Sequence, residues 1–165
     1  AAGQACENVR QSQWRDGIEV VCSDITKYNI DEVKFDIIVC NPPFFRDSLR
    51  SPNAVRSQAR HNDSLSYEKL ADTVLRLLAN DGTFNLVLPF DMADTFTLIA
   101  ARRGLYMSKR TKVVTRQGVA PKRVLLSFVK QQIVHVEEDE LVMFDSNNAE
   151  TLDYISLVKD FYLKY

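Results

Sequence analysis

The chain has 165 residues, 45% of them hydrophobic and 26% charged, with a formal net charge of -1. These values exclude a disordered or fibrous protein, and the length lets one domain bury a core without disulfide or metal support. The longest apolar-rich runs, Phe35 to Cys40 and Val124 to Val129, fall far short of the roughly 18 residues that cross a bilayer. The opening residues lack a basic stretch followed by an apolar core, so a cytoplasmic location is expected.

In chain order, residues 1 to 13 read as the end of a helix, because Ala2, Ala5, Cys6 and Val9 recur at helical spacing and no cap precedes them. Ile18 to Cys22 and Phe35 to Cys40 are short β-branched runs of the kind expected for strands buried on both faces of a parallel sheet. Ser66 to Ala79 places Leu70, Val74, Leu77 and Leu78 on one helical face, and Asn80-Asp81-Gly82 supplies turn chemistry to stop it. Thr83 to Leu88 is expected as a strand and Asp91 to Arg103 as an amphipathic helix closed by Gly104. Leu105 to Thr115 and Arg123 to Lys130 then read as two longer strands, and the last helix covers about 149 to 162. This alternation predicts an open α/β sheet, whose ligands bind outside the carboxyl ends of the strands.

Cys6, Cys22 and Cys40 are too far apart for a metal or redox pair, so no metal is expected and each reads as a small buried hydrophobe. The charge is unevenly distributed. Thr95 to His135 holds nine basic residues and no acid, whereas Val136 to Tyr165 holds eight acids against Lys159 and Lys164. Such a pattern fits either a polyanion lying on a basic face or an ordinary solvated surface.

The most informative segment is Asn41-Pro42-Pro43-Phe44, directly after the strand Phe35 to Cys40. Two prolines fix their own φ and hold the preceding residue extended, so the Asn41 side chain and nearby carbonyls are presented stiffly. An exocyclic amine is a weak nucleophile because its lone pair is delocalised into the ring. The Asn41 amide oxygen and the Pro42 carbonyl are acceptors suited to orienting such an N–H2 group, and Phe44 offers an aromatic plane for a flipped-out base. A proline turn that merely closes a strand is the competing reading.

These four residues resemble the Asn-Pro-Pro-aromatic motif of amino methyltransferases that use S-adenosylmethionine, and Cys22-Ser23-Asp24-Ile25 resembles the strand-end acid of their cofactor site. Asn41 to His61, Lys122 to Leu126 and Phe161-Tyr162-Leu163 are similar to the bacterial tRNA1(Val) adenine-37 N6-methyltransferases, and the similarity runs along essentially the whole chain. The resemblance implies a Rossmann-like class I methyltransferase sheet, and a single domain over 1 to 165. It also implies N6-methylation of an adenine in tRNA, with S-adenosylmethionine as cofactor and tRNA as partner. It assigns Asn41, Pro42, Pro43 and Phe44 to catalysis, and Asp24 and Ile25, with Asn41, to the cofactor. Arg46, Arg50, Arg56, Arg60, His61, Arg116, Lys122 and Arg123 are assigned to the substrate RNA. Asp24 also reads as a turn cap.

The five glycines are isolated, so none forms the Gly-rich cofactor turn that such relatives carry. The chain is therefore expected to lack the first two strands of the fold, to bind the cofactor weakly or be inactive alone, and to offer a sheet edge for self-association. Related motifs serve methylation of guanine N2 in ribosomal RNA and of glutamine in release factors, and a non-catalytic RNA-binding fragment is the alternative outside enzymes.

Overall fold

The computed structural model describes residues 1–28, 33–42 and 65–162. The chain divides into two compact units, Ala1–Glu32 and Val33–Tyr165. In the first unit, α1 covers Ala2–Gln11 and ends at Ser12, whose hydroxyl donates to the Val9 carbonyl at 2.9 Å. The expected strand Ile18 to Cys22 is not formed: the segment is irregular, with Ile18 46% and Val21 48% exposed. Extended backbone needs a hydrogen-bonding neighbour to become a strand, and none of the described strands pairs with it. Cys6 and Cys22 are also exposed, against expectation, while Cys40 is half-buried and burial raises its thiol pKa.

The second unit is built on a five-stranded sheet of β1 (Phe35–Cys40), β2 (Leu78–Pro89), β3 (Tyr106–Arg116), β4 (Arg123–Val129) and β5 (Glu137–Phe144), in the order β1-β2-β4-β3-β5. β1 runs parallel to β2 and β3 parallel to β5, while β4 runs antiparallel to both β2 and β3. The sheet is thus mixed rather than wholly parallel. Four strands point one way, and β4 alone among these five reverses.

Helix α2 (Tyr67–Leu77) starts where the Ser66 side chain accepts from the Lys69 amide, and α3 (Ala93–Ala101) follows a short 3-10 turn at Phe90–Met92. α3 closes at Gly104, whose φ of 91° lets the Leu105 amide reach back to the Ala100 carbonyl. Both helices set their buried stripes, Leu70, Ala71 and Val74, and Ala93, Phe96 and Ala100, against one face of the sheet. Phe84, Leu86, Leu88, Val124, Leu126 and Phe128 alternate along β2 and β4 to supply that face. Phe96 packs edge-on against Phe128 with ring centres 5.3 Å apart, and each such side chain contributes about 1.5–3 kcal/mol through burial. A final helix, α4, spans Leu152–Val158, shorter than expected, and is capped by the Thr151 side chain.

α2 ends two residues earlier than expected, because Leu78 is drawn into the ladder opposite Phe35 and is fully buried. Asn80-Asp81-Gly82 then lies inside β2 instead of forming a free turn. Phe35 faces Leu78 and Ile37 faces Thr83, so two steps along β1 match five along β2, and the polar tripeptide is looped out as a bulge. β1 is also not buried on both faces. Ile38 and Cys40 meet the core, whereas Ile37 is 66% and Val39 74% exposed, and no strand lies beyond β1 among the described residues.

Candidate active site

Asn41 follows the last residue of β1, where Cys40 pairs with Leu86. Its side chain is exposed, while Pro42 beside it is buried, so the corner is anchored by its proline and open at its amide. Pro43, Phe44, Arg46, Arg50, Arg56, Arg60 and His61 lie outside the described residues.

Since β1, β2, β3 and β5 share a direction, their carboxyl ends make one rim, and the reversal of β4 brings its start to the same rim. Asn41 therefore shares this edge with Phe90, Lys122, Arg123 and Arg116. Two strand spacings, about 10 Å, separate β1 from β4. The Phe90 amide donates to the Lys122 carbonyl at 3.2 Å, tying the end of β2 to the start of β4. Lys122, Arg123 and Arg116 are exposed, and the Arg116 guanidinium donates to the Asn148 side chain at 2.6 Å.

Phe90 is a rim residue that the sequence reading overlooked. The Arg110 guanidinium carbon lies 5.4 Å from its ring centre and Arg110 Nη1 is 3.0 Å from Asp94, so the ring is held at the β2 end. An aromatic immediately after a central strand was the available signal.

Asp24 and Ile25 belong to the first unit. The Asp24 carboxylate oxygen Oδ1 accepts from the Thr26 amide at 3.0 Å and from its hydroxyl at 2.7 Å, so this acid caps a turn. Its Oδ2 lies 3.8 Å from Lys27 Nζ, and Ile25 is 42% exposed.

The basic run does not form one face. Lys109 and Arg110 are successive strand residues and point to opposite sides of the sheet. Lys109 Nζ reaches Glu137 at 2.6 Å and Asp139 at 3.2 Å, Arg103 pairs with Asp72 at 2.8 Å, and Lys130 donates to the Leu78 carbonyl at 2.7 Å. The acidic run supplies β5, which lies alongside β3 with Glu137, Glu138, Asp139 and Glu140 opposite Lys109, Arg110, Thr111 and Lys112. In this cross-strand ladder Lys109 holds two carboxylates, which takes up part of the charge asymmetry in the sequence. Among the described residues, no group of His, Cys, Asp and Glu is placed to hold a metal ion, and no helix is long and apolar enough to cross a membrane.

A family model described as RMKL-like, methyltransferase domain matches residues 2–113. A tRNA1(Val) (adenine(37)-N6)-methyltransferase of Bacteroides fragilis is 45% identical over 168 residues, covering 99% of this chain and 70% of the relative. The chain belongs to this methyltransferase family. Proteins of the same description from Bacteroides thetaiotaomicron and Haemophilus influenzae are 44% and 39% identical, over 99% and 100% of this chain and 68% and 69% of their own lengths. A solved structure described as a predicted O-methyltransferase from Agrobacterium tumefaciens superposes with a TM-score of 0.69 at 17% identity, over 96% of this chain and 72% of its own. That last likeness is one of fold, and it places the family member's mixed sheet among methyltransferase folds.

Proposed function

We propose that the chain transfers a methyl group from S-adenosylmethionine to N6 of adenine 37 in tRNA1(Val), with Asn41 orienting the amine. The observation that carries this reading is the exposed Asn41 amide beside a buried Pro42 at the carboxyl rim of the sheet. S-adenosylmethionine supplies an electrophilic methyl group when bound. The Asn41 amide oxygen and the Pro42 carbonyl accept hydrogen bonds from the two N–H groups, which turns the nitrogen lone pair toward the donor. As the N–C bond forms and the S–C bond breaks, positive charge grows on the nitrogen, and the same two acceptors stabilise it. The proton then leaves to water, so no strong base is required. Asp24 and Ile25 are assigned to the cofactor's adenine end, and Phe44 to stacking on the target base. Arg46, Arg50, Arg56, Arg60, His61, Arg116, Lys122 and Arg123 are assigned to the RNA backbone. A cytoplasmic location accords with such a substrate.

The test incubates the chain with excess labelled S-adenosylmethionine and unmodified tRNA1(Val), ribosomal RNA or release factor. Label at N6 of adenine 37 supports the reading, and label on guanine N2 or on glutamine replaces it. Asn41→Ala is expected to lower turnover roughly 10²-fold. Wild-type turnover in that variant would remove the corner from the mechanism.

A further inference from the structure

The connection between β3 and β4 runs from 117 to 122 along the rim that carries Asn41. Its base is pinned to two strands and to the turn after β2: the Lys122 amide donates to the Val113 carbonyl at 3.3 Å, the Lys122 carbonyl accepts from the Phe90 amide, and the Gln117 amide donates to the Phe144 carbonyl at 3.0 Å. Within the loop, Gly118 takes a φ of 81° and the Val119 amide bonds to the Arg116 carbonyl at 3.2 Å. A loop fixed in this way nevertheless turns Val119 outward, 47% exposed, between Arg116 on one side and Lys122 and Arg123 on the other.

Cations along a rim meet phosphates, but a stiff β-branched apolar group among them has no phosphate chemistry to perform. What it can meet is a base face. A base must leave its stack to bring an exocyclic amine to Asn41, and an apolar side chain that enters the vacated step offsets part of the unstacking cost. Val119 sits in the loop joining β4 and β3, which lie two and three strand spacings from the Asn41 strand, roughly 10–15 Å along the rim, a span that an extruded nucleotide and its neighbour can bridge.

We propose that Val119 is a wedge that props the RNA stack open next to the extruded base, while Arg116, Lys122 and Arg123 hold the flanking phosphates. The proposal rests on the reading given under Proposed function. It makes Val119 a positioning residue, acting on the neighbour of the target and never on the reacting nitrogen.

The test places 2-aminopurine at position 37 of an anticodon stem-loop and follows its fluorescence on binding to the chain, with methylation assays on the natural hairpin and on an unstructured oligomer. The wild type should raise the fluorescence, V119G should lose most of that rise at saturating protein, and V119L should restore it. V119G should also lower kcat/KM on the hairpin about tenfold and leave the unstructured oligomer unchanged, since a base that is already unstacked needs no wedge. A full fluorescence rise in V119G, or an equal loss on both substrates, overturns the wedge and leaves the methyltransferase reading standing. No fluorescence change with the wild type, while the hairpin binds, overturns the wedge; the functional reading is judged separately by methylation of the natural hairpin, because 2-aminopurine lacks the N6 amine.

Discussion

Gly82→Ala tests whether the bulge in β2 fixes the strand that carries Asn41. A Cβ at Gly82 would sit 2.9 Å from both the Asp36 and the Phe35 carbonyl oxygens and 2.8 Å from Leu78 Cδ1. The two oxygens are β1 backbone, and Leu78 is fully buried, so none of the three neighbours can step aside without moving the ladder. Overpacking of this size costs about 1–3 kcal/mol, and the stiffer unfolded chain returns about 0.4–1 kcal/mol. The net loss, about 1.3 kcal/mol at the middle of these ranges, corresponds to a melting temperature about 3–5 °C lower for a chain of this size. Thermal unfolding followed by circular dichroism reads it directly. Gly3→Ala, where a Cβ meets nothing within 4 Å, is the control and should leave the melting temperature unchanged or slightly raised. Equal stability of the Gly82→Ala and wild-type chains would refute the close approach and the role of the bulge in seating β1.

Other expectations follow from the charges and the edge. Asp139 has its pKa lowered by a hydrogen bond from Thr111 and by Lys109, so its contribution is present above the ordinary carboxylate value near 4 and is lost as pH falls through the lowered value. Asp139→Asn should therefore reduce the urea midpoint at neutral pH and converge with wild type in strong acid, and parallel curves at all pH values would contradict this. Lys122→Ala and Arg123→Ala should each flatten the logarithmic salt dependence of RNA binding by about 0.7–0.9, whereas Lys109→Ala, which removes a cation already paired, should leave the slope unchanged. Identical slopes in all three would show that the rim is not where phosphates lie. Among the described residues no strand pairs with the outer side of β1, and with Ile37 and Val39 exposed this strand should support self-association that Val39→Lys weakens; a sedimentation profile independent of concentration would remove that surface.

Elements with an apolar stripe were legible in the sequence. β1 lies where its β-branched run placed it, and α2, α3, β3 and β4 agree to within about two residues, because their patterns match the faces they bury. Ile18 to Cys22 shows the limit of that reasoning, since strand character needs a partner that local pattern does not reveal. β5 was missed for the opposite reason. Glu137-Glu138-Asp139-Glu140 reads as a solvated run, and its pairing with Lys109 and Thr111 on β3 is not visible in the local pattern. The position of Asn41 at the end of β1 was legible because the apolar run and the prolines that follow it are local, whereas the rim it shares with Lys122 depends on the reversal of β4, which no periodicity encodes.

The β3–β5 charge ladder also has a consequence for how a polyanion approaches. Lys109, locked against Glu137 and Asp139, adds little outward field on that flank, so attraction at distances near the Debye length of about 8 Å comes mainly from the exposed cations of the rim. An RNA drifting past would feel a torque before it feels a surface, and would arrive with its backbone already aligned along the edge where Asn41 waits.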